Sequence, residues 1–255
     1  MNDALLNLEP SILWRYFARL SEIPRCSKQE ERILAWLRAE AAEKDLPTRS
    51  DEVGNLVIAV PATPGYEETP TLILQSHVDM VCEKHGSSQH DFTSDPIRIM
   101  VQGDRVTADG TTLGADDGIG MATALALVED RETVHGPLEL LFTVDEETGL
   151  TGAAGLRPDL LTGSLMINLD AEVVGQFTVG SAGGLDTLIK VPATWTPLQG
   201  EEVFVLSISG LRGGHSGGDI HRGRASSIKL LGRILAAALE QGCHGLRLGA
   251  MVGGS

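Results

Sequence analysis

A glycine-rich turn with two adjacent carboxylates constrains this 255-residue chain more than any other stretch. The turn, residues 110–118, contains Asp116 and Asp117, and an apolar run rich in Ala, Leu and Met continues from 119 to 128. That composition favours a helix, and a helix that is apolar on every side is buried. The turn therefore places both carboxylates at the edge of a core, where a carboxylate must be hydrogen-bonded, paired or bound to a cation.

Strands and helices alternate along the first part of the chain, which predicts an α/β domain with a central sheet flanked by helices. Three of the expected helices cover residues 9–20, 119–128 and 150–161. A fourth begins with a capping box at Ser27 and Glu30. The expected strands cover residues 46–53, 56–60, 71–75, 137–144 and 164–169, with a small separate hairpin at 102–104.

The pattern changes after about residue 183, so we divide the chain into two domains, residues 1–183 and 184–255. In the second domain, residues 203–209 alternate like a strand with one exposed face, and residues 225–241 have the composition of a helix. These few elements predict the beginning of an α+β domain whose sheet is incomplete.

The charge balance excludes several classes of partner. Asp and Glu number 35 against 20 Lys and Arg, a formal net charge of −15, and such a surface repels nucleic acid and anionic membranes.

The three cysteines are far apart and form no CxxC pair, so we expect no disulfide framework and a reducing compartment. With no basic and apolar leader and no apolar stretch of about 18 residues, the expected location is the cytoplasm.

Several of the predicted strands end in residues that can bind a metal ion. These endings are His77-x-Asp79, Asp116-Asp117, Glu146-Glu147 and Asp170. In α/β sheets, ligands gather outside the carboxyl ends of the strands, so these endings can converge although they are distant in sequence. One histidine with several carboxylates is a ligand set suited to zinc, manganese or cobalt.

The spacing suggests separate tasks within this set. In an extended chain His77 and Asp79 project to the same face, so the carboxylate can orient the imidazole. An Asp116 carboxylate that bridges two ions about 3.5–4 Å apart would explain its position in so constrained a turn. Of Glu146 and Glu147, one can be a ligand and the other a base that takes a proton from water. Taken singly, each residue also has a structural interpretation as a helix cap, a solvated helix start or a core histidine.

A second glycine-rich segment, residues 210–219, surrounds His215. Its backbone suits contact with a ligand, and an imidazole there could donate to a developing oxyanion; a simple connecting loop is the alternative.

A nucleotide-binding domain would also place a glycine-rich turn before a buried helix. Residues 114–118 lack the Lys-Ser/Thr of a P-loop, however, and their two carboxylates would repel phosphate.

Five stretches of the chain resemble the co-catalytic metallopeptidases, the family that includes carnosinases and carboxypeptidase G. These stretches are residues 74–81, 110–121, 144–149, 167–172 and 213–218. Matching runs at 90–93 and 135–139 extend the resemblance over nearly the whole chain. It implies an α/β catalytic domain over residues 1–183, followed by the first part of a lid and dimerisation domain over 184–255.

The resemblance implies a centre with two zinc ions, for which cobalt or manganese are alternatives. It makes His77, Asp116 and Asp170 the ligands of one ion. Asp116 would bridge to the second ion, which Glu147 also binds. Family members continue past the equivalent of Ser255 and there supply a last histidine ligand, so we expect the second position to be incomplete in residues 1–255.

The resemblance also implies roles for residues that do not bind the metal. Glu146 would be the general base, and Asp79 would support His77. Asp117 would follow Asp116 across a cis peptide bond. His215 would polarise the scissile carbonyl, and in dimeric members this histidine often comes from the opposite subunit.

The activity implied is hydrolysis of a peptide bond in a short, unblocked peptide, with broad specificity or a preference for Xaa-His. The expected partners are therefore a small peptide and a second copy of the chain, with no nucleic acid and no membrane. An N-acyl amino acid deacylase with the same metal core is one alternative. A metal-binding remnant without activity is the other.

Overall fold

The structure is a computed structural model that describes residues 7–171 continuously, together with Leu5 and parts of the C-terminal region. In that region the described residues are 173, 175–181, 183, 187–192, 194, 205–214 and 219–242. Contacts divide the chain into two compact units, Met1–Phe177 and Thr178–Ser255. The predicted division at 183/184 lies near this one, and the domain assignment stays a prediction.

A five-stranded mixed sheet forms the centre of the first unit. The strands are, in chain order, β1 (Thr48–Ser50), β2 (Leu56–Val60), β3 (Leu72–His77), β4 (Ile99–Gln102), β5 (Arg105–Ala108), β6 (Leu138–Thr143) and β7 (Leu165–Asn168). The sheet has the order β1-β2-β6-β3-β7, and β4 and β5 form a separate hairpin. Strands β6, β3 and β7 are parallel, whereas β1 and β2 are antiparallel additions. The carboxyl ends of three strands therefore meet at one edge of the sheet.

Helices cover the sheet as the sequence predicts. In the first unit they are α1 (Ser11–Leu20), α2 (Glu31–Glu43), α3 (Ala115–Glu129) and α4 (Thr151–Ala154); the second unit contains α5 (Ser227–Glu240). The predicted apolar helix forms most of α3, and its residues Met121, Ala122 and Ala124 are fully buried. The α/β fold class is confirmed.

The two faces of the sheet are packed unequally. On β6, Leu138, Leu140 and Phe142 belong to the large core that also contains the buried residues of α1, α2 and α3. Leu141 belongs to a smaller cluster on the opposite face, together with Leu160. Because successive side chains of a strand point to opposite faces, a strand buried on both faces is a continuous apolar run. This explains the apolar run over residues 140–142 of β6, whereas the buried Glu139 accepts hydrogen bonds from the amides of Thr162 and Gly163.

Both predicted hairpins are confirmed. β1 pairs with β2 in antiparallel register, although β1 is shorter than the predicted strand over 46–53. β4 pairs with β5 across Gly103, whose φ of 63° lies in the left-handed region that glycine adopts readily.

The helix predicted over residues 150–161 is too long. α4 ends at Ala154, and a single 3₁₀ turn comes after it at Pro158–Leu160. The residue before a proline is pushed into the extended region, and Arg157 has φ −80° and ψ 131°. Pro158 therefore prevents one helix from continuing through this segment.

The capping box predicted at Ser27 and Glu30 is wrong. No side chain caps the start of α2, and the Ser27 hydroxyl donates instead to Oδ2 of Asp79 at 2.7 Å. Oε1 of Glu30 accepts the amides of Lys28 and Asp145 at 2.8 and 3.1 Å. The buried face of this helix contains Ile33, Leu34, Leu37 and Ala41.

The expectation that the cysteines do not pair is wrong for two of them. Cys26 and Cys82 form a disulfide bond, with Cα atoms 5.7 Å apart. Cys26 also forms an isolated parallel bridge with Met80, so the segment after α1 runs beside the segment after β3. A separation of 56 residues conceals this contact in the sequence, because only the tertiary fold creates it.

Breaking this bond is expected to destabilise the first unit. A cross-link over a loop of this length contributes about 2–4 kcal/mol, mainly by restricting the unfolded chain. Cys82→Ser should therefore lower the midpoint of thermal unfolding by roughly 5–15 °C. Scanning calorimetry measures this, with Cys243→Ser as the matched control and dithiothreitol as an independent way to break the bond. An unchanged midpoint in Cys82→Ser would show that the bond adds no stability.

In the second unit, the helix predicted over 225–241 is confirmed by α5, where the Ser226 hydroxyl accepts the Lys229 amide as an N-cap at 3.3 Å.

The strand predicted over 203–209 is wrong for residues 205–209, which form no strand. A strand needs a neighbouring strand for its backbone hydrogen bonds, and the described residues of this unit include no strand. Residues 203, 204 and 215–218, and with them His215, lie outside the described residues. No described helix is both long and apolar enough to cross a bilayer.

Candidate metal centre

The candidate site lies at the carboxyl ends of the parallel strands. His77 is the last residue of β3 and is 1% exposed, so strand and core together fix its imidazole. Its Nε2 lies 2.8 Å from Oδ1 of Asp116 and 3.9 Å from Oδ2 of Asp170. Its Nδ1 lies 3.4 Å from Oδ1 of Asp79. The ends of β3 and β7 and the turn that opens α3 thus converge on one imidazole.

Neighbouring charges decide the protonation of this imidazole. Burial disfavours its cationic form, but the carboxylates of Asp116 and Asp79 outweigh burial and raise the pKa of His77 to about 10. The imidazole therefore holds a proton between carboxylates, at the position where a neutral imidazole would bind a cation. Metal binding at such a site displaces the proton.

Asp79 is a buried anion that joins the imidazole to the two glutamates. It accepts hydrogen bonds from the Ser27 hydroxyl at 2.7 Å and from the amides of Glu146 and Glu147 at 3.0 and 3.1 Å. Burial favours the neutral acid, but these donors and His77 together lower the pKa of Asp79 well below its usual range. The turn after β6 is therefore anchored to the same carboxylate that faces His77.

The two aspartates of the glycine-rich turn have different surroundings. The peptide bond between them is cis. Asp117 is 1% exposed, and its oxygens accept the amides of Gly120 at 3.2 Å and of His77 at 3.3 Å. Asp117 thus caps the helix, which was the structural interpretation of the sequence, and it also ties the helix to the end of β3. The side chain of Asp116 is 60% exposed and faces the imidazole.

Carboxylates crowd this edge of the sheet. Burial, and then the charge of Asp170, raise the pKa of Asp117 to about 7. Burial, and then the charge of Asp116, raise the pKa values of Glu147 and Asp170 to about 6. The hydrogen bond with His77 keeps the pKa of Asp116 below its usual value. A bound cation would offset the repulsion that raises these pKa values.

Two groups of side chains that include His77 have donor atoms close enough to share a cation. In each group the donor atoms lie within 4.8 Å of one another, and the groups are His77 with Asp116 and Asp170, and His77 with Glu146 and Glu147. An imidazole with carboxylate oxygens is a ligand set that zinc accepts. The residues fit a metal ion of the kind predicted, and the role of each ligand stays a prediction.

A third set, the buried acidic group, consists of Glu30, Asp79 and Asp145. Asp145 accepts hydrogen bonds from the hydroxyls of Thr148 and Thr151 and donates its own amide to Glu30. Because protein donors already occupy these oxygens, we interpret the buried acidic group as part of the scaffold behind the site.

Two residues that shape the site have no recognisable signature in the sequence. Ser27 matched a helix cap, but its hydroxyl binds Asp79. Arg25 lies outside every predicted element, yet its guanidinium is buried beside the site and donates to the main chain of Val78 and Asp79. The remaining predicted site residue, His215, lies outside the described residues.

Fold and site together define an α/β protein with residues that could hold a metal ion at the carboxyl edge of its sheet. Residues 73–238 match the sequence pattern of peptidase family M20/M25/M40, and the chain belongs to this family. The family resemblance that the motifs indicated is thereby confirmed.

Individual relatives agree with this assignment. The cytosol non-specific dipeptidase of Escherichia coli K12 is 45% identical over 239 residues, which are 93% of this chain and 49% of that protein. The crystal structure of aminoacylhistidine dipeptidase from Vibrio alginolyticus has a TM-score of 0.67 at 38% identity, and the similarity covers 93% of this chain and 49% of that one. Aminopeptidase PepT from Bacillus cereus gives a TM-score of 0.55 at 25% identity over 64% of this chain and 43% of that one. The chain spans about half the length of the first two relatives.

Proposed function

We propose that the complete protein is a metal-dependent dipeptidase that hydrolyses short, unblocked peptides. The observation that carries this proposal is the convergence of His77, Asp116 and Asp170, whose donor atoms lie within 4.8 Å of one another. The relatives named as a non-specific dipeptidase and as an aminoacylhistidine dipeptidase suggest the substrate class, with Xaa-His peptides included. Zinc is the proposed metal, and the same ligands would accept cobalt or manganese.

The proposed ligands of the first ion are His77, Asp116 and Asp170. Asp116 and Glu147 would hold a second ion. The donor atoms of His77, Glu146 and Glu147 lie within 4.8 Å of one another, and this proximity supports a second position near the imidazole. Ions held there would polarise the scissile carbonyl and lower the pKa of the attacking water.

Glu146 is the proposed general base, which takes a proton from the attacking water and delivers it to the leaving amine. Its amide donates to Asp79 at 3.0 Å, so its turn is anchored to the carboxylate that faces His77. Asp79 itself keeps the imidazole oriented. His215 is the proposed donor to the carbonyl oxygen as negative charge develops there.

Partner and location are inferred from the relatives and the charge. We propose a homodimer on the family resemblance, and a cytoplasmic location because one relative is named as a cytosol dipeptidase. The net charge of −15 fits a small-molecule substrate and no nucleic acid or membrane. In a reducing cytoplasm Cys26 and Cys82 would be thiols, and their bond would form on oxidation.

A substrate panel tests the proposal. The chain to test, called the full-length chain below, is one that continues past Ser255 to the histidine ligand of family members. Loaded with zinc, it should hydrolyse unblocked dipeptides, with Xaa-His among them, and should lose this activity when a chelator removes the metal. N-acyl amino acids are the comparison, because a deacylase would use the same metal core. Faster hydrolysis of N-acyl amino acids than of any dipeptide would contradict the dipeptidase, and activity that survives chelation would contradict the metal dependence.

A further inference from the structure

Arg25 connects two chain segments beneath the site. Its side chain is 2% exposed. Its Nη1 donates to the carbonyl oxygens of Val78 at 2.9 Å and Asp79 at 3.0 Å. Its Nη2 donates to the carbonyl oxygen of Gly114. One planar guanidinium therefore binds the segment after β3 with one nitrogen and the turn that opens α3 with another.

These two segments carry the central pair of proposed ligands. The first comes directly after His77, and the second leads into Asp116. Nε2 of His77 and Oδ1 of Asp116 lie 2.8 Å apart, although the residues belong to separate elements. Asp117 provides one further link, through the hydrogen bond from the His77 amide at 3.3 Å. Main-chain hydrogen bonds join the same two segments farther along, such as that from the Thr112 amide to the Glu83 oxygen at 2.9 Å. The guanidinium adds a link at residues no more than two positions from each of these ligands.

The guanidinium fits closely between these segments. A Cβ atom added to Gly114 or to Gly118 would lie 2.7 Å from Nη2, so the turn has glycine where it passes the guanidinium. The main-chain oxygen of Arg25 also accepts the Met80 amide at 3.1 Å. Main chain and side chain of Arg25 therefore hold the same neighbouring segment.

The charge of Arg25 also acts on the site. Burial lowers the pKa of Arg25 to about 10, and the nearby carboxylates, Asp117 and Asp79 foremost, oppose this effect. The guanidinium is therefore cationic at neutral pH. A fixed positive charge behind several carboxylates makes their joint ionisation less costly.

We propose that Arg25 is a positioning residue of the metal centre. By binding both segments, it fixes the distance between the imidazole of His77 and the carboxylate of Asp116, and it acts through these residues rather than as a ligand. The planar fork of a guanidinium donates in directions that a lysine ammonium cannot reproduce. The inference rests on the metal-dependent function proposed above.

Titration with Co²⁺ tests this inference without substrate, because the visible absorption of bound cobalt reports both affinity and ligand geometry. The variants are Arg25→Lys and Arg25→Met in the 255-residue chain. Arg49→Met is the matched control, because Arg49 binds the buried Glu139 near the opposite end of β6. Loss of a residue that supports metal ligands typically weakens binding about 10–100-fold. We expect this loss and a changed absorption band in both Arg25 variants while they remain folded, and wild-type behaviour in the control.

Cobalt affinity and spectrum that stay unchanged in both Arg25 variants, with only a lower melting temperature, would overturn the inference. If Arg25→Met fails to fold, cobalt affinity and spectrum are compared in Arg25→Lys and Gly118→Ala instead. The Cβ that Gly118→Ala adds would displace the guanidinium without removing it. Failure of the unmodified chain to bind cobalt would instead overturn the proposed metal centre, so the two failures are distinguishable.

Discussion

Asp116→Ala is expected to remove metal from both positions of the centre in the full-length chain, and not from one alone. Asp116 is the proposed shared ligand, and its Oδ1 already lies 2.8 Å from Nε2 of His77. Asp170→Ala should weaken the first position only, because Asp170 is proposed to bind a single ion. The metal content of the purified variants, determined by elemental analysis, checks both expectations.

The control for this pair is Asp104→Ala. Asp104 lies in the turn of the β4–β5 hairpin with its side chain 97% exposed, so its loss should leave the metal content unchanged. Full occupancy in Asp116→Ala would contradict the bridging role. Equal losses in Asp116→Ala and Asp170→Ala would remove the distinction between a shared and a single-ion ligand.

Glu146→Gln and Glu147→Gln are expected to separate proton transfer from metal binding. Glu146→Gln in the full-length chain should keep its metal and lose about 10²–10⁴ in kcat, which is the usual contribution of a general base. Glu147→Gln should instead lower the affinity for the second ion. Both glutamine side chains preserve shape, and both main-chain amides can still donate to Asp79. The turn should therefore remain in place in either variant.

Steady-state kinetics and metal analysis on the same preparations distinguish these outcomes. Metal loss in Glu146→Gln with full metal in Glu147→Gln would mean that the two roles are reversed. Comparable activity of Glu146→Gln and the unmodified chain would mean that the base is another residue.

The parts of the fold that were predicted correctly depend on local patterns. Apolar residues at helical spacing indicated α1 and α2, short apolar runs indicated β3 and β6, and a glycine between two short strands indicated the β4–β5 hairpin. The convergence of His77, Asp116 and Asp170 was expected as well, because the carboxyl ends of parallel strands meet at one edge. Three predictions from local patterns were wrong: the helix over 150–161 was extended through Pro158, the capping box at Ser27 and Glu30 does not form, and residues 205–209 form no strand.

The features that the sequence did not reveal arise from contacts between distant segments. Whether Ser27 caps a helix or binds Asp79 is decided by the approach of the segment after β3. The bond between Cys26 and Cys82 has the same origin. Arg25 binds main-chain carbonyls, and a main-chain partner leaves no complementary residue type in the sequence.

Anomalous diffraction at the zinc absorption edge, from crystals of the chain grown with Zn²⁺, tests the metal centre most directly. We expect a strong peak at the carboxyl edge of the sheet, bounded by Nε2 of His77 and the carboxylates of Asp116 and Asp170. This result would establish the convergent residues as ligands of one ion. A peak within the buried acidic group, or no peak near Nε2 of His77, would contradict the proposed centre and the dipeptidase function that depends on it.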